Sequence, residues 1–242
     1  MTNAWVTVIW TNEQDHTYPR LVMALINSLL SVKTKHDICI LADPFCFQSL
    51  MGQKQWLQHI HGKRVQILAF DRTDMIILSR YNWSPTFKQR EYYTNEFNQA
   101  ICSKALAFAL TQYDKIAVID ADCIVQINCD DLFDITSTPA ATFSNYYSKE
   151  PDVYGHLEHN ESIDNNVIRQ QLKAFRGFVG SGTLYLIEPT LHLFDEFKNW
   201  IMKFQEYGYS KNLNGIEEQA FAEFFIDKNN TWYCISHCFI SV

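Results

Sequence analysis

Short apolar runs and longer amphipathic stretches take turns along the first half of the chain. Residues 6–10, 37–41, 65–70 and 115–119 are compact runs rich in Val, Ile and Leu, and each predicts a buried strand. Residues 19–32 and 48–60 carry apolar side chains at helical spacing, and Pro19 suits a first helical turn. Residues 95–113 predict a third helix, because Phe97, Ile101, Ala105 and Phe108 recur at intervals of three and four. Strands and helices alternating at this pace predict an α/β fold with a central, mostly parallel sheet flanked by helices. Ligands of such sheets bind outside the carboxyl ends of the strands.

The second half is less regular. Residues 144–176 are polar and read as an insertion, partly helical over 166–175. A strand is predicted over 183–187. A helix follows over 189–207, with Leu193, Phe194, Phe197, Trp200, Ile201 and Phe204 on one side. A shorter helix over 217–225 and a last strand over 232–242 complete the pattern. No repeat, heptad array or low-complexity segment interrupts it, so 1–242 reads as one domain.

Composition narrows the class. Of 242 residues, 47% are hydrophobic and 19% charged, which supplies a core and excludes a disordered tail. The formal net charge of −7 argues against non-specific nucleic-acid binding, which needs a basic face. It leaves a polyphosphate ligand open, since a divalent ion supplies positive charge locally. The longest apolar stretch, near 21–30, contains Asn27 and Ser28 and falls short of the ~18–20 residues of a membrane span. Met1-Thr2-Asn3-Ala4-Trp5 lacks the pattern of a secretory signal, so the expected location is cytoplasmic. Cys39, Cys46, Cys102, Cys123, Cys129, Cys234 and Cys238 are scattered and read as buried free thiols of a reducing compartment. Cys234 and Cys238, with His237 between them, have no second pair at zinc spacing.

The chemistry concentrates at Lys115-Ile116-Ala117-Val118-Ile119-Asp120-Ala121-Asp122. An apolar strand delivers two carboxylates at i and i+2, which extended backbone points to one side. Two hard oxygen donors at a strand end suit Mn²⁺ or Mg²⁺ with positions left for phosphate oxygens. The plain alternative is a pair of surface aspartates in a turn. Two phosphate chemistries use the layout. A phosphatase would use Asp120 as nucleophile, although such motifs usually stand near the N-terminus. A nucleotide-sugar transferase would hold a metal on the donor diphosphate and stabilise the leaving group.

Three segments share a further pattern. Residues 110–115 (Leu-Thr-Gln-Tyr-Asp-Lys), then Asp120-Ala121-Asp122, then 128–134 (Asn-Cys-Asp-Asp-Leu-Phe-Asp) together resemble the glycogenin-like branch of glycosyltransferase family 8. That branch includes galactinol synthases and plant xylan glucuronosyltransferases. The resemblance spans most of the chain and implies a GT-A fold, with 1–134 as the nucleotide-binding half and 177–242 as the sugar and acceptor half. It implies a UDP-sugar donor and hexose transfer to a saccharide, polyol or protein acceptor with retention of anomeric configuration. It places Mn²⁺ or Mg²⁺ on Asp120 and Asp122. Thr11, Asn12, Tyr18, Lys104 and Ala121 would contact the nucleotide and its phosphates. Ser181, Gly182, Glu218 and Gln219 would orient the sugar, the last two in catalytic positions.

Three departures accompany the resemblance. Gly180-Ser181-Gly182 stands where the family usually has Asn-Ser-Gly or Asn-Ala-Gly. Glu218-Gln219 stands for Asp-Gln, and Gly215, beside Asn214, occupies an upstream acidic position. The family's C-terminal His-x-x-Gly and Lys-Pro-Trp segment has no counterpart in these residues. His237 is either a substitute metal ligand or a structural histidine between strand residues. The departures keep a nucleotide-sugar-binding protein with weak or no turnover as the alternative, and a homodimer that completes the C-terminal edge as an option. Tyr207 and Tyr209 lack matching neighbours, so self-glycosylation is not expected. Each single feature also has a bland reading: Lys104 as a solvated helix lysine, Glu218-Gln219 as the polar first turn of a helix.

Overall fold

The computed structural model describes residues 2–11, 17–75, 101–143, 157–173, 183–207 and 216–235. Four strands make a parallel half-sheet: β1 (Asn3–Ile9), β2 (Asp37–Ala42), β3 (Val65–Ala69) and β4 (Lys115–Ile119). The other half holds β5 (Ala140–Ala141), β6 (Ser162–Ile163), β7 (Leu184–Ile187) and β8 (Trp232–Cys234). The order is β3-β2-β1-β4-β7-β5-β8-β6. β7 is antiparallel to β4 and β5, β8 is parallel to β5, and β6 is antiparallel to β8. The α/β architecture, a central sheet flanked by helices, is the expected one; the first half of the sheet is wholly parallel and the second half is mixed.

Period-two alternation divides the core into two layers. Ala4, Val6, Cys39, Leu41, Ile116, Val118, Tyr185 and Ile187 face one side. Trp5, Ile9, Ile38, Ile40, Ala117, Ile119, Leu184 and Leu186 face the other. Both faces are buried, which is why these strands read as continuous apolar runs. Helices α1 (Thr17–Ser31), α2 (Pro44–Met51) and α3 (Lys54–Ile60) cover the second face. A 3-10 helix (Ile101–Ala109), α5 (Leu191–Tyr207) and α6 (Ile216–Asp227) cover the first. Between them in sequence, α4 (Asn165–Lys173) packs near α6. No helix among the described residues is long and apolar enough to cross a membrane.

Two helical expectations change. The helix predicted over 48–60 is two helices, because the chain turns at Gly52-Gln53; Asp43 caps the first by accepting from the Cys46 amide at 2.8 Å. The described part of 95–113 winds as a 3-10 helix. Apolar spacings of three and four do not separate i+3 from i+4 hydrogen bonding. The last strand is described over Trp232–Cys234, and 236–242 lie outside the described residues. Within the block 144–176, residues 162–163 form an edge strand of the main sheet.

Asp130, from the family-like segment, has work in the fold. Its carboxylate accepts from the Thr34 hydroxyl at 2.5 Å and the Lys35 amide at 2.8 Å, while Asn128 donates to the Val32 carbonyl at 3.1 Å. These bonds fix the α1–β2 connection against the 3-10 turn Asp130–Asp134, where Phe133 packs edge-on against Trp5. Burial pushes the Asp130 carboxyl up, but the bonds from Thr34 and Lys35 outweigh it and hold the group below its ordinary range. Asp130→Ala is expected to cost about 2–3 kcal/mol in urea unfolding at pH 7, from two lost charge-assisted bonds. A folded pKa below the unfolded value stabilises above the unfolded value of ~3.9 and is lost as pH falls through the folded one. The difference between wild type and variant should therefore shrink below about pH 4.

Candidate functional site

β1 leads to β2 on one side, while β4 lies on its other side, so the chain reverses direction across the sheet between β1 and β4. A crevice opens at the carboxyl ends of strands at such a point. Thr11 follows β1, Asp43 follows β2 and Asp120 follows β4, all at this edge. Arg72 ties two of them, pairing with Asp43 at 2.7 Å and donating to the Thr11 carbonyl. Arg72 carries no motif in the sequence, and its role follows only from the fold.

Asp120, the first residue after β4, meets Lys104 of the 3-10 helix. Lys104 forms an ion pair with Asp120 Oδ1 and approaches Glu217 Oε1 at 2.8 Å. The contact with Glu217 is an ion pair without hydrogen-bond alignment, since Oε1 is buried and has no hydrogen-bond partner. Side-chain exposure is 19% for Lys104, 28% for Asp120 and 4% for Glu217, so the cluster grades from interior to solvent. Glu217 and Glu218 occupy the first turn of α6, where the helix dipole favours acids.

Protonation follows from this crowding. Burial opposes the Lys104 charge, but Asp120, Glu217 and Glu218 outweigh it and hold its pKa above the ordinary lysine value. Burial raises the carboxyl of Asp120, Lys104 opposes, and the charge of Asp122 adds to the rise. Burial likewise lifts Glu217 well above the usual range, with Lys104 opposing and Glu218 and Asp120 adding. Beneath them Tyr185 is buried, and its phenol is raised by burial and then by Glu217, Glu218 and Asp120. Cys102 and Cys123 are raised by burial, Cys123 to about 12, so neither thiol is a nucleophile at neutral pH.

The two aspartates are not on extended backbone. β4 ends at Ile119, and a turn closed by the Cys123 amide on the Asp120 carbonyl at 3.2 Å carries both, with Ala121 buried between them. The i, i+2 argument from strand geometry therefore does not apply; the turn, and the Asp120 amide bonded to the Thr183 carbonyl at 3.1 Å, set their positions. Asp122 is exposed at the mouth. Together they offer hard oxygen donors of the kind Mg²⁺ and Mn²⁺ take in ones and twos alongside phosphate. Among the described residues no group of three or more His, Cys, Asp or Glu is gathered around one point.

Of the other predicted residues, some stand near this edge and some lie outside the described residues. Thr11 is buried at the same edge. Tyr18 is half-buried in α1 and packs against the second face. Gln219 lies in α6 next to Glu218. Asn12, Ser181, Gly182 and His237 lie outside the described residues. Glu217 was missed by sequence reasoning; its signal was an acid directly before the Glu-Gln pair, read as part of a helix start. A groove of about 290 Å³ near His192, Glu196 and Lys228 lies at the far end of β7 from Thr183, and its ion pairs are satisfied among themselves.

No family model matches the chain. It is 26% identical over 200 residues to the uncharacterized protein R707 of Acanthamoeba polyphaga mimivirus, covering 83% of this chain and 60% of that protein. The chain thus spans less than two thirds of that relative. Among solved structures, it resembles the apo-form glycosyltransferase GlyE of Streptococcus pneumoniae TIGR4, with TM-score 0.57 and 14% identity over 99% of this chain and 46% of that one. It also resembles apo mouse xyloside xylosyltransferase 1, with TM-score 0.55 and 10% identity over 98% of this chain and 86% of that one. At these identities the likeness is one of fold, and the fold is that of GT-A glycosyltransferases.

Proposed function

We propose that this chain is a glycosyltransferase that moves a hexose from a UDP-sugar to a saccharide, polyol or protein acceptor. The observation that supports it most is the convergence of the Asp120-Ala121-Asp122 turn, Lys104 and the start of α6 at the carboxyl end of β4, in a GT-A fold. Asp120 and Asp122 fit Mn²⁺ or Mg²⁺, which when bound neutralises charge building on the leaving diphosphate. Thr11 marks the nucleotide end of the crevice. Lys104 adds a fixed positive charge beside the phosphates, and Glu218 with Gln219 orients the sugar. No described side chain is an activated nucleophile, so front-face attack of the acceptor on the anomeric carbon, from the side the diphosphate leaves and hence with retention, is the reading we adopt. NMR of the fresh product reads its anomeric configuration, and inversion would refute retention.

A second reading is a donor-binding protein without turnover. It is favoured by Lys104, which stands on the aspartate that a metal would use.

The test is calorimetric titration of UDP with and without Mn²⁺, on wild type and Asp122→Ala. The expected result is metal-dependent binding weakened at least ~tenfold in the variant, the loss of one charged ligand contact. Failure of UDP to bind wild type in either condition would end both readings. Release of UDP from UDP-hexose then separates the enzyme from the silent binder.

A further inference from the structure

Lys104 is the cation of the described cluster, and it stands between two carboxylates of unequal depth. On its outer side is Asp120, partly exposed and next to Asp122. On its inner side is Glu217, almost wholly buried at the start of α6. An ammonium on Asp120 and a divalent ion on the same carboxylate repel each other at these distances, even when they take different oxygens. The position of Lys104 along the line from Asp120 to Glu217 therefore sets how much negative charge Asp120 can offer to a metal.

We infer that Glu217 is a positioning residue which, by sharing the Lys104 ammonium with Asp120, weakens the hold of Lys104 on that aspartate and leaves it more available to a divalent cation. Lys104 is in this view a built-in competitor of the metal, and Glu217 sets the strength of the competition. The inference rests on the metal-binding reading of Asp120 and Asp122 and deepens it. Glu217 does not touch the metal; it acts only through Lys104. The buried hydroxyls of Ser103 and Tyr185, which have no hydrogen-bond partner among the described residues, leave polar room on the inner side.

The experiment measures Mn²⁺ affinity from the free-ion EPR signal, without nucleotide. It uses wild type, Glu217→Gln, Lys104→Met and the double variant, with melting temperatures recorded for each. Lys104→Met is expected to tighten Mn²⁺ about tenfold, because the competing charge is gone. Glu217→Gln is expected to weaken it about fivefold, because Lys104 then leans on Asp120 alone. The double variant should bind like Lys104→Met, since Glu217 has nothing left to act through. Should Lys104→Met alone fail to fold, with Glu217 left uncompensated, the double variant removes that charge as well. Affinity in the double variant tighter than wild type then supports the inference, and affinity at or below wild type overturns it.

Equal weakening by Glu217→Gln in both Lys104 backgrounds would overturn the inference, by making Glu217 a direct ligand. Unchanged affinity in Glu217→Gln would overturn it too. Mn²⁺-dependent UDP binding by wild type, measured in parallel, keeps the failures apart. If UDP binds but the variants do not differ, the inference alone fails. If wild type binds neither Mn²⁺ nor UDP, the proposed function falls with it.

Discussion

Asp120→Asn is expected to lower release of UDP from a UDP-hexose by about 10³-fold, the scale of losing a preorganised charge at a leaving group. The substitution keeps the shape of the side chain and removes only its charge. That charge serves two partners at once: Lys104 on the inner side, and a divalent ion together with Asp122 on the outer. Lys104 keeps Glu217 at 2.8 Å, so the variant does not leave an isolated buried ammonium. A small change in urea midpoint with a large loss of turnover is therefore the expected signature. UDP release within tenfold of wild type would show that Asp120 serves the fold and not the chemistry. Asp122, exposed and in no ion pair among the described residues, makes the cleaner binding probe; Asp120 makes the cleaner catalytic one.

Strands were legible where both faces are buried. Residues 37–41 and 115–119 appear almost unchanged as β2 and β4, because a parallel strand between two helical layers must be apolar at every position. The two-residue strands β5 and β6 have no period to read, so the strands predicted over 183–187 and 232–242 appeared without the partners that make this half of the sheet mixed. At the site, Asp120 and Lys104 were singled out from sequence and meet in space. Their contact was not legible, since it depends on the 3-10 winding of 101–109 and on the turn after Ile119. Glu217 was passed over because an acid in a first helical turn is ordinary. Asp130 drew notice as part of a family-like segment, yet its bonds to Thr34 and Lys35 are those of a structural anchor.

Phe221→Ala should be the most destabilising of the substitutions considered, by about 3–5 kcal/mol in urea unfolding. Phe221 is buried where the layer over the first sheet face converges. Its ring lies 5.3 Å from Phe108 of the 3-10 helix, 5.1 Å from Phe197 of α5 and 5.2 Å from Tyr185 of β7. Truncation removes three aromatic contacts at once and leaves a cavity that rigid neighbours cannot fill. Met202, on α5 but 66% exposed, is the control, and Met202→Ala should stay within about 0.5 kcal/mol. The site is tied to the same ring. Glu217 stands about one turn before Phe221 on α6, and Lys104 is carried by the same short 3-10 helix as Phe108, so the packing of Phe108 against Phe221 also sets how these two elements, and with them Lys104 and Glu217, approach each other. The milder Phe221→Leu, which folds with a smaller cavity, should then weaken Mn²⁺ binding in the same direction as Glu217→Gln. A Phe221→Leu variant with wild-type metal affinity would show that the ion pair holds its geometry without the aromatic layer beneath it.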